Sequence, residues 1–114
     1  MAAFLEERLA FAVAQGIAED RICLDPGFGF GKTVAHNVEL LRRLDELRAL
    51  GRPLLVGLSR KSALGKLLGD PDAKVGTVPA SIGAAVAAFE RGASIFRVHD
   101  VRDHVEALTV AAAV

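Results

Sequence analysis

Ile22-Cys23-Leu24-Asp25-Pro26-Gly27-Phe28-Gly29-Phe30-Gly31-Lys32 is the stretch whose reading decides the fold. Its opening run is too apolar for a loop and too short for a helix, so it reads as a buried strand that empties into a Gly-rich loop. The same pattern recurs twice. Leu54-Leu55-Val56-Gly57-Leu58 empties into the polar cluster Ser59-Arg60-Lys61-Ser62, and Ser94-Ile95-Phe96-Arg97-Val98-His99 runs into Asp100. Spacings of about 30 to 40 residues match β-α-β units, which force parallel strands with right-handed crossovers.

The segments between read as helices. Phe4 to Gln15 sets Leu5, Leu9, Ala12 and Val13 on one face, with Gly16 placed to end it. A second, amphipathic helix runs to about Leu50, with Val38, Leu41, Leu44 and Leu47 inward and Gly51 and Pro53 as the stop. A short helix follows around Leu64 to Leu68, then a small-residue helix from Pro79 to Glu90 closed by Gly92. The last helix covers Asp103 to Val110, where Asp103 and Glu106 have the spacing of a capping box. The order αβαβαβα gives an α/β chain of three parallel β/α units, one domain over residues 1–114. A closed eight-fold barrel takes about 250 residues, and three strands alone leave two open edges. The chain is therefore a small open sheet or part of a larger fold.

Composition narrows the function. Fourteen Lys+Arg against fourteen Asp+Glu leave zero net charge, so there is no basic field for a polyanion, and Tyr and Trp are absent; nucleic-acid binding is not expected. With 52% hydrophobic residues and a mean hydropathy of +0.35, the chain has the material for a core and is not disordered. The longest small-apolar stretch, Ala80 to Phe89, contains Ser81 and Gly83 and falls short of the roughly 20 residues of a membrane span. Met1 to Ala10 carries Glu6, Glu7 and Arg8 where a signal peptide needs its apolar core, and the lone Cys23 has no internal disulfide partner. Both point to the cytoplasm.

Parallel α/β folds bind ligands at the carboxyl ends of their strands. Here those ends offer Asp25 with its glycines, then Ser59 to Ser62, then Arg97, His99 and Asp100. Arg97 and His99, two apart on a strand, share a face and together grip an anion, which suits phosphate or pyrophosphate. Lys61 on the neighbouring loop reaches either that anion or the polar edge of a ring. Each residue also has a plainer reading: Asp25 before Pro-Gly is common turn chemistry, Arg60-Lys61 is a solvated loop pair, and His99 is hydrogen-bonded structure. The coincidence at three successive strand ends favours function. Phe28 and Phe30 are either loop anchors or the walls of a pocket for a flat ligand. Cys23 reads as a small core residue, His36 and His104 as exposed or capping, and no spacing suggests zinc.

Gly31-Lys32-Thr33, between a strand and a helix, raises a phosphate-loop alternative, a nucleotide-binding module. The full pattern needs glycine five places before Gly31, where Pro26 stands. The dinucleotide pattern fails as well, with Lys32 where its third glycine belongs. A non-catalytic fragment that pairs with a partner through open sheet edges is the third possibility.

Three segments together resemble the dihydropteroate synthases, folate-pathway enzymes of the pterin-binding barrel family: Asp25-Pro-Gly-Phe-Gly-Phe-Gly-Lys32 with His36-Asn37 beyond it, Gly57-Leu-Ser-Arg-Lys-Ser62, and Arg97-Val-His-Asp-Val101. The resemblance covers nearly the whole chain in order and spacing. It implies the sixth, seventh and eighth strands of a TIM (β/α)8 barrel, preceded by its fifth helix, with the first half or more of the family's length missing. Gone with it are the first-loop Asn and Thr-Pro-Asp-Ser-Phe segment, the Asp-x-Gly-Gly strand end, and the Asp and Asn of the third and fourth strands. Half of the implied pocket is thereby absent from the isolated chain.

The family joins 6-hydroxymethyl-7,8-dihydropterin diphosphate to p-aminobenzoate, giving 7,8-dihydropteroate and diphosphate. By resemblance, Asp25 and Gly27 belong to the pterin-binding set, with the Asp25 carboxylate pairing with the aminopyrimidine edge. Lys61 binds the pterin's oxygen and nitrogen side, and Arg97 and His99 hold the departing diphosphate. Ser62 and Phe30 line the p-aminobenzoate pocket, where sulfonamides compete. The resemblance further implies Mg2+ on the diphosphate, with its protein ligand in the missing portion, and a homodimer through the carboxyl-terminal helices. The related methyltetrahydrofolate-using corrinoid methyltransferases would not need Arg97-x-His99 as a diphosphate clamp.

Overall fold

Two threonines set where the packing helices begin. In the computed structural model, which describes Met1–Val114, the Thr33 hydroxyl accepts the His36 N–H at 3.1 Å and the Thr77 hydroxyl that of Ala80 at 3.2 Å. Each satisfies an amide that a helix start leaves unpaired. The elements are α1 (Ala2–Ala14), α2 (Val34–Arg42), β1 (Leu54–Val56), α3 (Ser62–Leu67), α4 (Val78–Glu90), β2 (Ala93–Phe96) and α5 (Val101–Ala113), with 3-10 turns at Glu19–Arg21 and Leu44–Leu50.

Two helices differ from expectation. The one expected to continue to Leu50 breaks at Arg43 and proceeds as the 3-10 run. That tighter winding stacks residues three apart, which keeps both Leu44 and Leu47 buried. The last helix starts at Val101, and Asp100 takes the position before it. No capping box forms at Asp103, and the Asp100 carboxylate goes to Arg60 instead of to helix amides.

β1 and β2 pair in parallel, Leu54 opposite Ala93 and Val56 opposite Phe96. The third expected strand does not form, so the fold is α/β with a two-stranded parallel sheet. Ile22-Cys23-Leu24 contributes a single parallel bridge: the Leu24 N–H donates to the Pro53 carbonyl at 2.9 Å, and the Leu55 N–H to the Leu24 carbonyl at 2.8 Å. The ladder is stopped on both sides. Upstream, the Ile22 carbonyl accepts from the Arg52 guanidinium at 2.9 Å, and downstream Pro26 has no N–H to offer. Cys23 is exposed, not the core residue expected, because its neighbour Leu24 takes the inward position.

Phe28, Leu44, Leu54 and Val56 are the largest fully buried apolar side chains, and α4 lays Ser81, Ala84, Ala85 and Ala88 against the rest. Small side chains on that face let the helix approach closely. Only 21 of the 114 residues are buried, and the molecule is a flat slab of 43 × 33 × 21 Å. No helix is long and apolar enough to cross a membrane.

Candidate functional site

At the first strand end the chain turns on Asp25-Pro26-Gly27. The Asp25 Oδ1 accepts the Gly27 N–H at 2.8 Å, and Gly27 sits at φ +74°, which a side chain would strain. Phe28 is buried to 1% exposure and anchors the loop, whereas Phe30 is 65% exposed. The loop is also held from α2. Buried Asn37 accepts the Gly29 N–H at 2.9 Å and donates to the Thr33 carbonyl at 3.0 Å. Lys32 donates to the carbonyls of Gly27 and Phe30 at 2.9 and 3.2 Å. Its ammonium therefore closes the loop and, in this arrangement, is aimed at backbone carbonyls and away from the strand-end cavity.

Arg97 and His99 lie just past the end of β2, not on it as expected. The Arg97 N–H still donates to the Val56 carbonyl at 3.0 Å, so the segment stays against β1. The Arg97 guanidinium crosses the backbone of Gly57, where an added Cβ would stand 2.9 Å from its Cζ, and reaches the Asp25 Oδ2 at 3.3 Å. Lys61 Nζ stands 4.4 Å from the centre of the Phe30 ring, a cation–π contact. Ser59 Oγ is 2.8 Å from His99 Nδ1 and accepts the His99 N–H at 3.1 Å.

These residues surround a cavity of about 230 Å³ lined by Gly57, Ser59, Lys61, Arg97, Val98 and His99. Of the residues named from sequence, Lys61, Arg97 and His99 share it. Asp25 joins through Arg97 and Phe30 through Lys61, while Gly27 and Ser62 do not line it; Ser62 opens α3, half-buried. A larger groove of about 500 Å³ between the start of α1 and α2 contains none of the strand-end residues. Gly57→Ala is expected to leave the fold intact, since the far end of Arg97 can move aside, and to weaken inorganic pyrophosphate binding about tenfold. Paired thermal melts and titrations check both halves of that outcome.

Sequence reasoning missed the support of the Lys61 loop. Arg60 has φ +56°, a left-handed conformation that costs about 1–2 kcal/mol in a residue with a side chain. Its N–H donates to Ser81 Oγ at 2.8 Å, its carbonyl accepts the Gly76 N–H at 3.0 Å, and its guanidinium bridges both Asp100 oxygens at 3.1 and 2.6 Å. Ser81, the polar residue in an alanine-rich helix, was the visible sign; fully buried, it hands its own hydrogen to the Thr77 carbonyl at 2.7 Å. His104 is buried rather than exposed, its Nδ1 2.8 Å from the Asp100 carbonyl.

The hydrogen bond from Arg60, and then its charge, hold the Asp100 carboxyl below the usual carboxylate range. A depressed folded value means that the stabilisation is complete above that range and is lost as pH falls through the folded value. Asp100→Asn is thus expected to lower the melting temperature slightly at pH 7, with the gap to the parent closing in strong acid and narrowing in high salt. Melts across pH check it.

The sequence matches the family described as pterin binding enzyme over residues 1–99. It is 52% identical over 109 residues to a dihydropteroate synthase of Neisseria meningitidis serogroup C, covering 95% of this chain and 38% of that protein. To the Escherichia coli K12 dihydropteroate synthase it is 47% identical over 104 residues, 91% of this chain and 36% of the relative. The Xanthomonas albilineans dihydropteroate synthase solved in complex with 7,8-dihydropteroate superposes with a TM-score of 0.90 at 47% identity, over 98% of this chain and 42% of that one. The chain thus spans about two fifths of the length of these three relatives.

Proposed function

Because the chain belongs to the pterin binding enzyme family, we propose that residues 1–114 are the carboxyl-terminal part of a TIM (β/α)8 barrel, with the Leu24 bridge, β1 and β2 at its last three strand positions. The complete barrel is a dihydropteroate synthase. One observation carries the site reading: Lys61, Arg97 and His99 line a single cavity at the strand ends, and Asp25 is 3.3 Å from Arg97.

In this reading Asp25 receives the aminopyrimidine donors of the pterin; its two oxygens, each with one partner in the free chain, keep lone pairs for them. Gly27 shapes that turn. Lys61 meets the pterin's oxygen and nitrogen edge, and Phe30 and Ser62 border the p-aminobenzoate position. A Xanthomonas albilineans relative has been solved with 4-aminobenzoic acid, and a Yersinia pestis relative with a sulfonamide drug. The bond from the pterin methylene carbon to the diphosphate oxygen breaks with its electron pair leaving on oxygen, and the amine nitrogen bonds to that carbon and releases one proton to solvent. Arg97 and His99 stabilise the charge growing on the leaving group, while the electron-rich pterin carries positive charge at the carbon.

No group of three or more His, Cys, Asp or Glu residues comes together to hold a metal ion, and the magnesium ligand belongs in this reading to the amino-terminal units of the barrel. We place the protein in the cytoplasm, as a homodimer through the carboxyl-terminal helices, where α5 keeps Val101 and Val105 exposed. The open side of β2, with Ile95 40% exposed, favours a second reading, a non-catalytic module that pairs through its sheet edge. Fusing the chain behind the missing amino-terminal units of a relative separates the two. The synthase reading predicts that the fusion forms dihydropteroate and the isolated chain does not; a folded fusion with no activity supports the pairing module.

A further inference from the structure

Resting on the anion reading of the cavity given above, we propose that Ser59 is a positioning residue: its hydroxyl holds the His99 imidazole in the tautomer protonated on Nε2. The ring then offers its Nε2–H to an anion. Ser59 is 5% exposed, and its Oγ meets His99 twice, at the backbone N–H (3.1 Å) and at Nδ1 (2.8 Å). A backbone N–H only donates, so Oγ accepts there. A hydroxyl has one hydrogen to give, and Nδ1 is the only acceptor in the chain that Ser59 Oγ meets, so that hydrogen goes to Nδ1. Nδ1 must then carry a lone pair and Nε2 the proton. The opposite tautomer would make Oγ accept twice and leave its own hydrogen without an acceptor in the chain, which is unfavourable.

His104 supplies an internal contrast. Its Nδ1 faces the Asp100 carbonyl at 2.8 Å, and a carbonyl only accepts, so His104 carries its proton on Nδ1. Two histidines five positions apart are therefore held in opposite tautomers, whereas His36 is exposed and its side chain makes no hydrogen bond to either. One oxygen fixes both the main chain and the ring of His99, and so sets which ring nitrogen is the donor on a residue that lines the cavity.

Nitrogen-15 NMR of the three imidazoles in the labelled 114-residue chain, at a pH of about 8, above the range in which a free imidazole titrates, tests the assignment. His99 is expected as Nε2–H and His104 as Nδ1–H. In Ser59→Ala, His99 becomes a tautomer mixture resembling His36 and inorganic pyrophosphate binding weakens about fivefold, while Ser59→Thr, which keeps the hydroxyl, behaves as the parent. Nδ1–H at His99 in the parent, or an unchanged His99 tautomer in folded Ser59→Ala, overturns the proposal. Should Ser59→Ala not fold, the parent spectrum and Ser59→Thr decide it. The predicted tautomers in a parent that does not bind pyrophosphate would uphold the positioning role and contradict the anion reading instead.

Discussion

Phe28→Ala is expected to destabilise the chain by about 3–5 kcal/mol, the cost of removing a fully buried aromatic ring. A domain of this kind has about 5–15 kcal/mol in total, and only 21 residues here are buried, so most of the margin goes. The effect reaches the site as well, because Phe28 is the apolar anchor between the Asp25 turn and the amides and carbonyls held by Asn37 and Lys32. Phe30→Ala, two residues on and 65% exposed, is expected to leave stability nearly unchanged. Urea unfolding followed by circular dichroism compares them. Equal midpoints for the two variants would contradict the division of labour between the phenylalanines.

Lys61→Ala, introduced in the barrel completed with the missing units, is expected to lower kcat/KM at least about tenfold, more than about 1.4 kcal/mol of transition-state stabilisation. Lys61 lines the cavity with Arg97 and His99, and its ammonium is steered by the Phe30 ring and crowded by Gly29, where an added Cβ would stand 3.1 Å from its Cδ. Lys61→Arg is not expected to restore full activity, because a planar fork does not replace a compact ammonium. Steady-state kinetics with melting temperatures measured alongside check this. An unchanged kcat/KM would remove Lys61 from the site.

What was legible in the sequence was the part governed by local pattern. Apolar runs followed by polar loops located the strand ends, and Lys61, Arg97 and His99, placed there by spacing alone, line one cavity. What was not legible depends on partners far along the chain. Ile22-Cys23-Leu24 has the composition of a strand, yet Arg52, thirty positions away, takes the Ile22 carbonyl and leaves one bridge. Arg60 looked like a solvated cation because Asp100, forty positions on, cannot be paired with it from spacing. The Asp103–Glu106 spacing was right for a capping box, but the helix began two residues earlier and the signal fell inside it. Ser59 was visible only as one hydroxyl in a polar cluster; its burial and its hold on His99 are products of the packing of β1 against β2.

Isothermal titration of the purified chain, with magnesium present, against 6-hydroxymethyl-7,8-dihydropterin diphosphate and against ATP tests the central claim most directly. Saturable binding of the pterin diphosphate, lost in Asp25→Ala and absent for ATP, is the predicted result, since Lys61, Arg97 and His99 line one cavity at the strand ends while Lys32 is held by loop carbonyls. Binding of ATP alone, or of neither ligand by a demonstrably folded chain, would contradict the claim that these three loops already form a working half of the site.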